Sequence, residues 1–292
     1  MPSTRDIRRR IKSIKNTAQI TKAMQMVASS KMRKAQLAAI SGRPYATLMN
    51  EVLSAVSDGA GDFSHPLLEV RPIRRRAVII VSTDKGLCGA LNANLLREAG
   101  RLDKETTVYV CAGRKGSQFV ARTKRNLAAE FTYKDSPLFS EARAISKFAQ
   151  EMFLKGEVDR VDIVYTNFIS TLSQKPEMRQ FLPIREIEAV EAGVGGVNEG
   201  QKLTKSDTEY LFEPNPAAVL GNLLPHYLNF QVYQYLLEAK ASEHSARMVA
   251  MKNATDNALQ IIKDLTLEYN KLRQANITKE LLEITSAAMA MG

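Results

Sequence analysis

The sequence predicts an α/β protein in which a long antiparallel coiled coil, made by the N- and C-terminal helices, is attached to a small, mainly parallel α/β domain. Three observations lead there. Long stretches at both ends lack glycine and proline and carry apolar residues at alternating three- and four-residue intervals, as a coiled-coil seam does. The middle of the chain carries short, β-branched, nearly continuous apolar runs between helix-like segments, the pattern of strands buried on both faces. The charge is lopsided: residues 1–45 hold eleven of the 41 Lys and Arg and one of the 31 acids, Asp6, so they alone account for the net +10.

Ser3 to Ser41 has no helix breaker, and Ser3 or Thr4 is a suitable N-cap. Its stripe runs Ile7, Ile11, Ile14, Ala18, Thr21, Gln25, Ala28, Met32, Ala35, Ala39. Two members are polar, and several are small enough to let a partner helix come close. Met24 and Val27 lie beside the stripe and should widen it. Gly42 and Pro44 should kink the helix, after which Leu48, Val52, Ala55 and Val56 carry an apolar face to the "SDGAGD" stop.

"RRAVIIVST", "TTVYVCAG" and "RVDIVYTNF" then read as buried parallel strands, with helices around Ala90–Ala99, Ser117–Arg125 and Ser140–Leu154. "SQKPEMRQFLPI" adds an edge strand. This is a Rossmann-like unit, bounded at 70–212, and its glycine-rich, mixed-charge stretch Glu191–Asp207 reads as a mobile loop.

The last segment, 213–292, mirrors the first, 1–57. Asn215 offers an N-cap and Pro216 sits at the first helical position, where a missing N–H costs nothing. Pro225 should kink the start. From His226 to Met291 there is no glycine or proline, and Met248, Met251, Thr255, Ala258, Ile262, Leu265, Tyr269, Leu272 and Asn276 repeat the seam spacing. Such a helix would be roughly 100 Å long at about 1.5 Å per residue. A domain of about 110 residues has a radius of gyration near 13 Å, so the helix is expected to project and to need the N-terminal helix as its partner. Being longer, its last turns should run beyond the start of that partner.

Hydrophobic content of 45% and charged content of 25% describe a folded globular protein. The longest apolar runs, such as Ala77–Val81, are far below the roughly 20 residues that span a bilayer, and the cationic start has no adjoining apolar signal region. The expectation is a soluble protein, or one attached to a membrane through something else. Cys88 and Cys111 have no metal or disulfide spacing and read as buried thiols of a reducing compartment. Charge confined to one end belongs to an interaction surface, and its partner should be acidic.

"STDKGLCGALN", Ser82–Asn92, lies between a strand and a helix, where phosphate loops sit, but Lys85 is misplaced for a P-loop and the dinucleotide fingerprint lacks its third glycine. A tight turn, or a surface loop for a partner, suits it better. His65, His226 and His244 stand apart without ligand or triad spacing. Nucleic acid would suit the cations of residues 1–44, but these contain no aromatic side chain for base stacking, and one helix face is committed to the seam. The C-terminal end, Ile284 to Met291, is smooth and small-apolar, which fits a sleeve formed by another protein; Arg273, Gln274, Thr278 and Glu280 just before it offer hydrogen bonds at helical spacing.

From end to end the chain resembles the gamma subunit of F-type ATP synthase. The carrying segments are "IRRRIKSIKNTAQITKAMQMVASSKMRKAQ", "VSTDKGLCGALNANL", "FISTLSQKPE" and "ARMVAMKNATDNALQIIKDLTLEYNKLRQANITKEL", in that order. The resemblance implies a non-catalytic rotor shaft. Its paired helices would stand inside a ring of alpha and beta subunits, with the α/β domain below beside epsilon and the c ring, and with no cofactor, metal or catalytic residue of its own. It further implies that Lys22, Met24, Lys31, Arg33 and Lys34 meet an acidic lever of beta, and that Lys85 sits in a partner loop. Arg273, Gln274, Thr278 and Glu280 would catch beta loops, and Tyr210 and Glu213 would belong to the foot. The family often has Arg at the position of Lys85, and no Cys pair marks the redox switch of chloroplast relatives. The cytoplasmic face of a bacterial inner membrane is the expected location, with the membrane touched only through the c ring. The second reading is a coiled-coil adaptor or a nucleic-acid-binding protein.

Overall fold

The computed structural model describes residues 3–59, 65–184, 213 and 215–291. Packing divides the chain into two compact units, residues 28–247 and residues 1–27 with 248–292. The division cuts through both long helices, α1 (Thr4–Ser41) and α6 (Pro216–Met291), rather than falling at their ends.

The larger unit is built on a five-stranded sheet of order β3-β2-β1-β4-β5. Strands β1 (Arg76–Val81), β2 (Thr107–Ala112) and β4 (Arg160–Phe168) are the three apolar runs, and β1 pairs in parallel with both others. The edge strand expected from "SQKPEMRQFLPI" is β5 (Gln174–Leu182), antiparallel to β4. The other edge, β3 (Asn126–Phe131), runs parallel to β2. The sequence reading contains no such strand: "NLAAEF" is half-exposed, so it lacks the continuous apolar signature of its neighbours. It also carried the preceding helix on to Arg125, whereas α4 (Arg114–Arg122) stops at a turn in which Lys124 takes φ 52°.

Alternation along β1 separates two cores. Val78 and Ile80 pack with Leu95 and Ala99 of α3 (Leu91–Gly100) and Val120 of α4. Ala77, Ile79 and Val81 face a larger core supplied by α5 (Phe139–Leu154), α2 (Arg43–Gly59) and the α6 segment from Leu220 to Ala239. Gly42 and Pro44 do more than kink the first helix, since α1 ends at Ser41 and α2 begins at Arg43. The buried face of α2 is Ala46, Met49, Leu53 and Val56; Leu48, expected on it, is 59% exposed. This face continues the α1 stripe in phase through Gly42, and of the residues expected on it Val56 is fully buried. Asn215 Oδ1 accepts from the Ala218 N–H at 2.8 Å, so the expected cap is made, and α6 runs through Pro225 as one helix.

In the smaller unit, Ser3 caps α1 reciprocally: its Oγ accepts from the Asp6 N–H at 3.2 Å, and its own N–H donates to Asp6 Oδ2 at 3.4 Å. Ile7 and Ala18 of α1 and Met251, Thr255, Ala258 and Leu265 of α6 are buried in the seam. Thr21 and Thr255 share a hydroxyl hydrogen bond of 2.7 Å, which satisfies both polar seam residues. Toward the start of α1, Ile7 and Ser13 border a groove with Leu265 and Glu268, so the helices run antiparallel. Val27, expected to widen the seam, is 55% exposed, whereas Met24 is half-buried. Asn276, also expected in the seam, is exposed, and so is α6 from Arg273 through Met289, because α1 has no residues left to cover it.

Candidate functional site

The surface residues singled out by sequence fall into five places, the fifth being Lys85 in the Ser82–Asn92 turn. On α1 of the smaller unit, Lys22 is exposed and donates to Gln25 Oε1 at 3.4 Å, next to half-buried Met24. On α1 of the larger unit, Arg33 and Lys34 are exposed, but Lys31 is engaged within the chain, donating to Asp135 Oδ2 in the segment after β3. Lys31, expected among the partner contacts, is thus also paired within the chain. Its ammonium holds the Asp135 carboxyl below the ordinary carboxylate range, and Lys240 adds to the effect.

Third, Arg273, Gln274, Thr278 and Glu280 are all exposed on the unpaired end of α6, where Thr278 Oγ1 donates to the Gln274 carbonyl at 3.0 Å. Ile277, Leu281, Leu282, Ile284 and Met289 are exposed on the same stretch, with Met289 at 85%. An apolar helix end bared to this degree is a contact surface or a liability. Fourth, Glu213 is exposed, while Tyr210 and the loop 191–207 lie outside the described residues, as does Gly292.

Loop Ser82–Asn92 is a closed turn. Asn92 Nδ2 donates to Thr83 Oγ1 at 2.8 Å, and Thr83 Oγ1 donates to the Lys85 carbonyl at 2.7 Å. Asp84 Oδ1 accepts from the Arg114 N–H at 3.0 Å. Lys85 is exposed at the surface of this turn. The thiols of Cys88 and Cys111 are buried, and burial pushes Cys111 up to about 12 and Cys88 in the same direction, so both stay protonated.

Sequence reasoning missed a buried polar cluster on α6. Residues 239–245 are all buried, which a one-sided helical stripe does not produce. Lys240, with a side chain 2% exposed, pairs with Glu243 at 3.0 Å and Asp135 at 3.6 Å and sits over the Tyr133 ring at 4.6 Å. Glu243 in turn pairs with Arg247 at 2.8 Å. Tyr133 donates to the Ser82 carbonyl at 2.9 Å, and burial raises its phenol well above the usual value. The signal available in sequence was the i, i+3, i+4, i+7 run of Lys240, Glu243, His244 and Arg247, which is also how exposed helical ion pairs are spaced.

Among the described residues no three or more His, Cys, Asp or Glu side chains are placed to hold a metal ion. His65 accepts from the Leu67 N–H, His226 shares a hydrogen bond with Tyr45, and His244 is buried. No helix of the described residues is long and apolar enough to cross a membrane. A seamed helix pair, a cationic face and a bared apolar helix end, together with an α/β unit, define an interaction subunit of a larger assembly.

The comparisons with known proteins say which. The ATP synthase family model that matches covers residues 3–291. The ATP synthase gamma chain of Opitutus terrae is 50% identical over 292 residues, 99% of each chain. A chain of the Tetrahymena thermophila mitochondrial ATP synthase central stalk and c ring is 26% identical, with a TM-score of 0.58, and the match covers 80% of this chain and 99% of that one. A chain of the Euglena gracilis mitochondrial ATP synthase has the same fold at a TM-score of 0.71 and 21% identity, over 99% and 94% of the two chains. The protein belongs to the ATP synthase gamma chain family.

Proposed function

We propose that this chain is the rotor shaft of an F-type ATP synthase. It couples ion flow through a membrane ring to ATP synthesis or hydrolysis on beta subunits and makes or breaks no bond itself. The observation that carries the reading is the end of α6: beyond Leu272 it is unpaired, yet it keeps an apolar surface that suits rotation inside a sleeve of alpha and beta subunits. Family membership supplies the assembly in which such a sleeve exists.

Four contacts belong to the proposal. Lys22, Met24, Arg33 and Lys34 meet acidic levers of beta, where unlike charges guide an encounter without a deep pocket at one angle. Lys85 presents a cation from the closed turn. Arg273, Gln274, Thr278 and Glu280 catch beta loops, and Tyr210 and Glu213 belong to a foot beside epsilon and the c ring. The chain would then lie at the cytoplasmic face of a bacterial inner membrane, held there through the c ring.

Co-purification from detergent-solubilised membranes, followed by an ATPase assay, tests the reading. Alpha, beta and epsilon subunits should accompany the chain, and a clean monomer from that preparation would overturn it. In the assembled complex Arg273→Ala should lower ATP turnover by about tenfold, the loss of one charge-assisted hydrogen bond worth about 1.5 kcal/mol, with assembly retained. Unchanged turnover would remove Arg273 from the catch.

A further inference from the structure

The turn Lys85–Gly89 is held in an unfavourable backbone shape. Leu87 takes φ 64° and Gly89 φ 60°. Glycine accepts that region freely, but leucine does not, and Leu87 has no burial to compensate: it is 63% exposed at the tip. The ties from within the turn hold its strand side, through Thr83, Asp84 and Asn92. At the tip, Arg247 Nη2 reaches the Gly86 carbonyl at 3.2 Å and the Lys85 carbonyl at 3.4 Å. The Lys85 carbonyl is also held by Thr83 Oγ1 at 2.7 Å, whereas the Gly86 carbonyl has, among the described residues, no side-chain donor but Arg247.

Arg247 is itself held in place. Its Nη2 donates to Glu243 Oε1 at 2.8 Å, and Glu243 Oε2 accepts from Lys240 at 3.0 Å. The three side chains are 12%, 4% and 2% exposed, so little water competes with their charges. Lys240 also faces Asp135, which takes Lys31 of α1. A chain of alternating charge thus runs from α1 through the segment after β3 and along α6 to the tip of the β1–α3 turn.

We propose that Arg247 is a positioning residue for coupling: it fixes the Lys85–Gly89 turn, with Leu87 at its tip, to α6, so that the displayed apolar tip moves with the C-terminal helix. This rests on the rotor reading above, since coupling has meaning only in the assembled enzyme. All three contacts use Nη2, whose two hydrogens lie in the fixed plane of the guanidinium, one aimed at the carboxylate and the other shared between the two carbonyls; an ammonium on a flexible stem has no such fixed directions. Leu87 supplies the contact and Arg247 touches nothing beyond the chain; its effect passes through the turn.

The test has two arms. In the isolated full-length chain, a nitroxide is attached to Leu87→Cys in a Cys88→Ser background, with and without Arg247→Ala. The parent should give a broad, immobilised line, Arg247→Ala should lose that component, and Arg247→Lys should restore it in part. Amide exchange over residues 83–90 in chains that keep Cys88 gives the same comparison should the thiol replacement disturb the turn, with exchange in β1 reporting any global loss of stability. In the assembled complex, Arg247→Ala should retain ATP hydrolysis while losing ATP-driven pumping. An unchanged line and unchanged exchange overturn the proposal, and so does a loosened turn with pumping per ATP intact. A native chain that fails to assemble with alpha and beta is a different result: it strikes the rotor reading and is seen before any variant is made.

Discussion

Lowering the pH from 7 to 5 should destabilise the larger unit through His244, and His244→Leu should remove that part of the loss. His244 is 2% exposed on α6, and among the described residues neither ring nitrogen has a hydrogen-bond partner. Burial pushes its imidazole down from 6.5 to about 4. Glu243 and Asp135 pull the other way, and Lys240 and Arg247 reinforce burial. The folded value lies below the unfolded one, so stability is complete above pH 6.5, where both states hold neutral histidine. Between 6.5 and about 4 the unfolded chain takes a proton that the folded chain refuses. At about 1.4 kcal/mol per pH unit, the drop from pH 7 to 5 costs about 2 kcal/mol, and the cost reaches about 3 kcal/mol near pH 4. Other titrating groups contribute equally to parent and variant, so the difference between them isolates His244. Urea unfolding followed by tyrosine fluorescence at pH 7 and pH 5 measures it. At pH 7 His244→Leu should equal or exceed the parent, because an apolar side chain of similar size replaces two unpaired nitrogens. Equal pH losses in parent and variant would refute the assignment of a buried neutral imidazole.

The seam and the turns give further expectations. Thr21→Val should cost about 0.5 kcal/mol, since Thr255 loses one partner but keeps its bond to the Met251 carbonyl at 2.8 Å, and Thr21→Val with Thr255→Val gives a double-mutant cycle, readable by urea melts, that isolates the hydroxyl pair. Lys31→Glu sets a carboxylate against Asp135 and should destabilise by about 1 kcal/mol in urea melts, given the partial exposure of both groups, while Lys31→Ala should cost less; a charge swap with Asp135→Lys should not rescue it, because Asp135 also faces the buried Lys240. Gly113→Ala should unfold the chain or cost more than about 3 kcal/mol, because a Cβ there would lie 2.2 Å from the Ser82 carbonyl oxygen at a φ of 104°. Gly86→Ala meets nothing within 4 Å and should melt within about 0.5 kcal/mol of the parent by the same assay.

Much of the fold was legible because its signals are periodic. Two seams at three-four spacing and three apolar runs are patterns that one sequence displays without knowledge of what packs on what. Strand β3 and the place of Leu48 on α2 escaped for different reasons. β3 is an edge strand whose residues are mostly exposed, so burial never selected an apolar run. The stripe of α1 continues across the break at unbroken three-four spacing, Ala39, Gly42, Ala46, Met49, Leu53 and Val56, so Leu48 was misplaced by restarting the count on the apolar residues after Pro44 instead of carrying the seam through.

The residues proposed for partner contacts divide along another line. Exposed cations such as Arg33 and Lys34 can be recognised from charge that is spread too unevenly to serve solubility, since exposure leaves the side chain's own character in view. Lys31 and Lys240 carry the same charge, yet both are spent inside the chain, on an Asp135 that lies 104 residues from one and 105 from the other. What decides between a lysine for a partner and a lysine for the fold is thus the position of one carboxylate, set by the sheet and the α5 entry rather than by neighbours in sequence. The same holds for Arg247: its spacing from Glu243 reads as an ordinary helical ion pair, and only the β1–α3 turn, 161 residues away at Gly86, makes it a clamp.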